Sequence, residues 1–107
     1  MIAWLLAFVL TCAVELAVVR WLGPRRRYAL VVAAGAQIAT HPIVWLAMAT
    51  LPGSQLARLA CVELWATLVE AALYKRYLRM TGREAFALSA LANAASLLVV
   101  AGLAALL

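Results

Sequence analysis

The 107-residue sequence predicts an all-α fold, a polytopic membrane protein built as one domain, residues 1–107, of four transmembrane helices. Three observations carry that prediction. Hydrophobic residues make up 69% of the chain and charged residues 12%, against about 45–50% and about 25% in soluble domains, which leaves too little polar surface to cover a globule. The mean hydropathy is correspondingly high, +1.06. Finally, the apolar residues fall into four stretches close to the roughly 20 residues that a bilayer span requires, separated by helix-breaking residues.

Span 1 runs from Ile2 to Leu22. It has no basic n-region and no A-x-A cleavage site, and it is longer than a signal-peptide h-region, so it is expected to be retained. Gly23-Pro24-Arg25-Arg26-Arg27 ends it. Span 2, Tyr28 to Leu51, closes at Pro52-Gly53-Ser54. Span 3, Gln55 to Leu78, closes at Met80-Thr81-Gly82-Arg83, and span 4 runs from Glu84 to Leu107. Each break carries a Gly or Pro where a short antiparallel connection needs one. Within span 2, Pro42 cannot donate to the carbonyl of Ile38, which frees an acceptor. That acceptor is either a ligand beside His41 or part of a bend re-satisfied by Thr40.

The charges sort by position. Of the nine Lys and Arg residues, all but Arg58 flank the first and third breaks. The positive-inside rule then puts those loops in the cytoplasm and both termini outside. Trp21, Tyr28, Tyr74 and Tyr77 gather at the basic ends as an aromatic belt, and Trp4 marks the opposite interface. Cations confined to short loops between apolar stretches are topology signals rather than a solvated nucleic-acid-binding face, so no nucleic-acid partner is expected. The lipid bilayer itself is the first partner, and anionic lipid at the basic loops is a further one. Cys12 and Cys61 lie in apolar runs without metal-binding spacing and are expected to be small packing residues.

The informative residues are those that lipid disfavours. Ionisable groups at membrane depth cost at least about 2.5–3.5 kcal/mol on insertion scales and normally face a partner, a cavity or water. Counting from the basic ends at 1.5 Å per residue, Glu15, Gln37, Glu70 and Asn93 fall at about 10–14 Å, one from each helix. A second layer, at about 16–23 Å, holds Thr11, Thr40, His41, Glu63 and Ser96. Helical spacing puts Glu63, Thr67, Glu70, Tyr74 and Tyr77 on one stripe of span 3, and Ser89, Asn93 and Ser96 on one stripe of span 4.

An internal repeat accompanies these layers. Cys12-Ala-Val-Glu15 parallels Thr67-Leu-Val-Glu70, and Gln37-x-x-Thr40 parallels Asn93-x-x-Ser96. Two parallel hairpins related by a pseudo-two-fold axis along the membrane normal would follow, an arrangement used by transporters. His41 and Glu63 have no counterpart in that symmetry.

Carboxylates, a histidine and side-chain amides at mid-depth suit a cation, either a proton passed between Glu and His or a metal held by oxygen and imidazole. Glu15 and Glu70 are the principal candidate ligands, with Glu63 and His41 as an outer relay. Gln37, Asn93, Thr40 and Ser96 serve as polar ligands or orienters. A bound metal cation is a candidate cofactor with Glu15, Glu70 and His41 as its ligands, although no E-x-x-H or H-E-x-x-H spacing identifies the ion. No catalytic residue is assigned, and the reading leans away from an enzyme.

Length, four spans and an acidic residue midway along span 1 are similar to the small multidrug resistance transporters. Glu15 matches in position alone, and His41, Glu63 and Glu70 depart from that family's pattern, so the assignment is rejected. Thr40-His41-Pro42 in span 2, Glu63 and Glu70 followed by Tyr74 in span 3, and Asn93-x-x-Ser96 in span 4 resemble small, functionally unassigned bacterial four-helix inner-membrane proteins. The resemblance implies a bacterial inner-membrane setting and no activity. The function expected is a small transporter or channel that binds or moves a cation, as a homo-oligomer. The alternatives are an accessory or assembly subunit paired with a partner membrane subunit, and a membrane-embedded enzyme acting on lipid.

Overall fold

A computed structural model describes residues 2–106. Four helices follow in chain order, α1 (Ile2–Leu22), α2 (Ala29–Thr50), α3 (Gln55–Tyr77) and α4 (Gly82–Leu106), and no strand occurs among the described residues. The expected end of span 4 at Leu107 lies outside them. The helices pack as a square in which α1 meets α2 and α4, and α3 meets α2 and α4, leaving α1 opposite α3 and α2 opposite α4 on the diagonals. The bundle measures 36 × 26 × 19 Å, so its long axis matches a hydrocarbon core of about 30 Å plus part of its interfaces.

Helices α1, α2 and α4 are each long and apolar enough to cross a membrane, which makes this a small integral membrane protein. Helix α3 matches them in length at 23 residues. Arg58, Glu63, Glu70, Lys75 and Arg76 dilute its apolar character, and its place between α2 and α4 buries Glu70 and half-buries Arg58 and Glu63, while Lys75 and Arg76 are exposed near its end.

The helix ends follow local chemistry. Ser54 caps α3, its Oγ accepting from the Ala57 amide at 3.1 Å. Helix α4 starts at Gly82, two residues before the expected Glu84, because Thr81 and Glu84 form a reciprocal capping box. Thr81 N donates to Glu84 Oε1 and Glu84 N donates to Thr81 Oγ1, both at 3.1 Å, the arrangement that a T-x-x-E sequence encodes. Gly23 closes α1 through its amide, which donates to Val19 O at 2.9 Å. A Cβ there would sit 2.6 Å from that same oxygen, so the position admits no larger residue without movement.

The packing is the reverse of a soluble core. Large apolar side chains face outward, with Ile2, Trp21, Leu56 and Leu106 each more than three-quarters exposed, as a lipid-facing surface requires. Small residues fill the interior: Ala29, Ala33 and Ala36 of α2, Ala71 of α3 and Ala85 of α4 are buried. They let the backbones approach closely, which is how membrane helices gain packing contacts. With Val19, Leu88, Leu78 and Tyr74, these alanines form one apolar cluster in the half of the bundle nearest the basic loops.

Three expectations are corrected here. Tyr74 is not in the aromatic belt, because it is 0% exposed and belongs to the apolar cluster, whereas Trp21, Tyr28 and Tyr77 are exposed. The Thr40 hydroxyl does not serve the carbonyl of Ile38. It donates to Ala36 O at 2.9 Å, the i−4 carbonyl that a helical threonine reaches. Cys61 is exposed on the outer face rather than packed inside, while Cys12 is half-buried.

Candidate functional site

The inner layer assembles around Glu70. Glu15 and Glu70 are 0% and 1% exposed, and their carboxyl groups lie close enough across the α1–α3 diagonal to interact. Gln37 Nε2 donates to Glu70 Oε1 at 2.9 Å, and Asn93 Nδ2 approaches the same oxygen at 3.3 Å. Thr40 Oγ1 lies 3.4 Å from Glu70 Oε2. On the other carboxyl, Ser96 Oγ lies 3.4 Å from Glu15 Oε1, and Glu15 Oε2 has no partner. Each helix thus contributes at least one group, as the depth count requires.

The hydroxyl protons are already engaged. Thr40 donates to Ala36 O at 2.9 Å, and Ser96 donates to Asn93 O at 3.0 Å. A hydroxyl has one proton and two acceptor lone pairs, so the two long contacts place carboxyl oxygens against hydroxyl oxygens with acceptor capacity to spare. Both amides meanwhile point N–H donors at Glu70. The two carboxyls therefore differ: Glu70 is held by donors, and Glu15 faces a hydroxyl oxygen and the other carboxyl.

The residues paired by the internal repeat occupy equivalent places. Glu70 sits beside Thr40 of α2, and Glu15 sits beside Ser96 of α4. The amides break the symmetry, since Asn93 joins Gln37 on Glu70 instead of serving Glu15. Asn93 is also anchored to its own helix, donating to Ser89 O at 2.9 Å. Ser89 in turn donates to Thr67 O at 2.7 Å, tying α4 to α3.

A cavity of about 200 Å³ lies above this layer, with Gln37, Glu70 and Asn93 at its floor and Thr11, Thr40, His41, Glu63 and Ser96 on its walls. Ala7, Trp45, Leu59 and Val100 line its other end, close to the chain termini and the α2–α3 loop. The second expected layer therefore exists as the wall of one chamber. The chamber is blind: on the far side of Glu70 the apolar cluster of Tyr74, Leu78, Val19 and Leu88 fills the bundle. The polar column of the sequence reading stops at that plug.

His41 stands apart from the carboxyl pair. Its ring packs on Phe8 with centroids 5.0 Å apart and on Trp4 at 6.0 Å, and Trp4 stacks on Phe8 at 5.6 Å and 3°. Its Nε2 is buried without a partner. No group of three His, Cys, Asp or Glu side chains among the described residues converges to hold a metal, so Glu15, Glu70 and His41 do not form a common ligand set here. Helical spacing puts Tyr74 on the stripe of Glu70 but does not show that its fully buried hydroxyl, one turn below Glu70, lacks a partner, nor that Trp4, Phe8 and Trp45 gather around His41. The i+4 spacing of Glu70 and Tyr74, and of Trp4 and Phe8, was the available signal. No protein family, characterised protein or solved structure matches the chain.

Proposed function

We propose that this chain is a small integral membrane transporter that takes up a cation, in the simplest case a proton, at the Glu15–Glu70 pair. One observation carries the reading: two fully buried carboxyl groups share one layer, with Glu70 at the floor of a chamber and Glu15 beside it, and every hydrogen-bonding group that reaches either of them from Gln37, Thr40, Asn93 and Ser96 is neutral. Two negative charges so placed would each cost several kcal/mol in desolvation, with no cation of the protein's own to offset them. A proton held on Glu15 resolves this. It supplies the missing partner for Oε2, lets the carboxyl donate where it now faces acceptors, and leaves the charge on Glu70, which Gln37 and Asn93 solvate.

The chamber delivers the cation from the end bearing the termini, read as the outside by the distribution of Lys and Arg. The alanine-rich plug around Tyr74 separates the pair from the basic, cytoplasmic side. Delivery across the membrane then requires a second arrangement of the same two hairpins in which the plug parts and the chamber closes, the alternating geometry that internal repeats make available. The likeness of spans 2 to 4 to small bacterial four-helix proteins supports a bacterial inner-membrane setting. A second reading, an accessory subunit, is favoured by half-buried Glu63, whose carboxyl borders the outer face between α3 and α4 where a partner helix bearing a cation would pair with it.

Flux in proteoliposomes separates the two. Transport by the wild type that is lost in both Glu15→Gln and Glu70→Gln supports the carrier. Undiminished flux in both variants, or purification only with a partner in fixed stoichiometry, refutes it.

A further inference from the structure

The chamber has a side wall that is also an outer surface. Glu63, Asn93 and Leu97 line the chamber, and the same three residues line a separate groove of about 310 Å³ between α3 and α4. The groove continues outward over Leu64, Phe86 and Ala90, and Leu64 and Phe86 are 58% and 46% exposed, on a face that meets lipid. Glu63 and Asn93 are therefore a polar threshold between the bilayer and the carboxyl pair.

We infer that this groove is a lateral entrance, and that its occupant is an amphiphilic ammonium: one cationic amine head with a single apolar tail. The inference rests on the reading of Glu15 and Glu70 as a cation site and specifies its substrate class. Charge selects the head. The threshold and the chamber hold carboxyls and no cationic side chain apart from the imidazole of His41, so an amine is matched and the phosphate of a membrane lipid is repelled. Size divides the ligand. A chamber of about 200 Å³ is below the roughly 300–1,000 Å³ of sites that enclose a drug-sized molecule, so it accommodates a head and a short stem while the tail lies along the groove. The aromatic ring of Trp45 on the chamber wall adds a face that attracts organic cations. A bare metal ion would use none of this apolar length and lacks a three-ligand set among the described residues.

The test is a titration of the protein in phosphatidylcholine nanodiscs with ethylammonium and with octylammonium, read from the side-chain amide resonances of Asn93 and Gln37. Both amines should shift these resonances saturably, octylammonium with a midpoint at least ten-fold lower, and octanol should not. Ala94→Trp fills the groove from a position that lines it but not the chamber. It should raise the octylammonium midpoint at least ten-fold and leave ethylammonium unchanged, with Ala94→Leu intermediate. An octylammonium midpoint unaffected by both Ala94 substitutions, or an equal response to octanol, overturns the lateral entrance while leaving the cation site standing. An ethylammonium response that survives Glu15→Gln combined with Glu70→Gln removes the cation site itself.

Discussion

Replacing Glu70 by glutamine should leave the bundle as stable as the wild type or more so, while ending its transport. The retained side-chain oxygen still accepts from Gln37 at the position now 2.9 Å away. The new amide nitrogen replaces Oε2, where it can donate to the spare acceptor capacity of the Thr40 hydroxyl, now 3.4 Å away. A hydrogen bond of that kind is worth about 0.5–1.5 kcal/mol net, which sets the size of the gain. Leucine at the same position should do the opposite. It deprives the Gln37 amide of its carboxyl acceptor for a loss of about 1–3 kcal/mol, while Asn93 keeps its bond to Ser89 O. The assay is reversible unfolding in mixed micelles with increasing dodecyl sulfate, followed by far-UV circular dichroism and paired with proteoliposome flux on the same preparations. Glutamine costing more than about 1 kcal/mol, or flux persisting in it, would show that the carboxyl is a structural group and that the cation argument is wrong.

Other outcomes follow from neighbouring features. Cysteines placed at Ala7 or Val44, in a background without Cys12 and Cys61, should react with a membrane-impermeant thiol reagent added from the side of the termini. A cysteine at Ala33, 0% exposed in the plug, should not react; labelling there from that side would mean the chamber is not blind. Gly23→Ala should destabilise by about 1–3 kcal/mol, since its Cβ meets Val19 O at 2.6 Å, measured by the same unfolding assay. Thr81→Ala removes half of the capping box and should cost about 1 kcal/mol with flux unchanged. Ser96→Ala should cost less than about 1 kcal/mol, in line with the roughly 0.6 kcal/mol average for interhelical bonds in membranes.

Much of this architecture was legible because lipid leaves few ways to be a helix. Gly23-Pro24, Pro52-Gly53 and Gly82 separated the spans, and three of the four acidic residues stood out against apolar surroundings. Counting depth placed Glu15, Gln37, Glu70 and Asn93 together, because helix rise is nearly constant. Direction around the helix was harder. Tyr74 falls both on the stripe of Glu70 and among the aromatics of the basic end, two placements that conflict, and packing with Val19 and Leu78 decides for the interior. The choice of Asn93 between two carboxyls depends on the direction of one amide in three dimensions, which spacing along a chain does not encode. The capping box at Thr81 and Glu84 was present as T-x-x-E, but the glycine within it read as a break rather than as the first residue of a helix.

The asymmetry of the amides has a consequence for energy levels. Two equivalent carboxyls sharing one proton on a two-fold axis would form a degenerate pair, with the charge residing equally on either side. Gln37 and Asn93 instead both direct amide protons at the same oxygen of Glu70, which would lift that degeneracy in favour of negative charge on Glu70. The placement of one amide thus gives an almost symmetric bundle a preferred polarity.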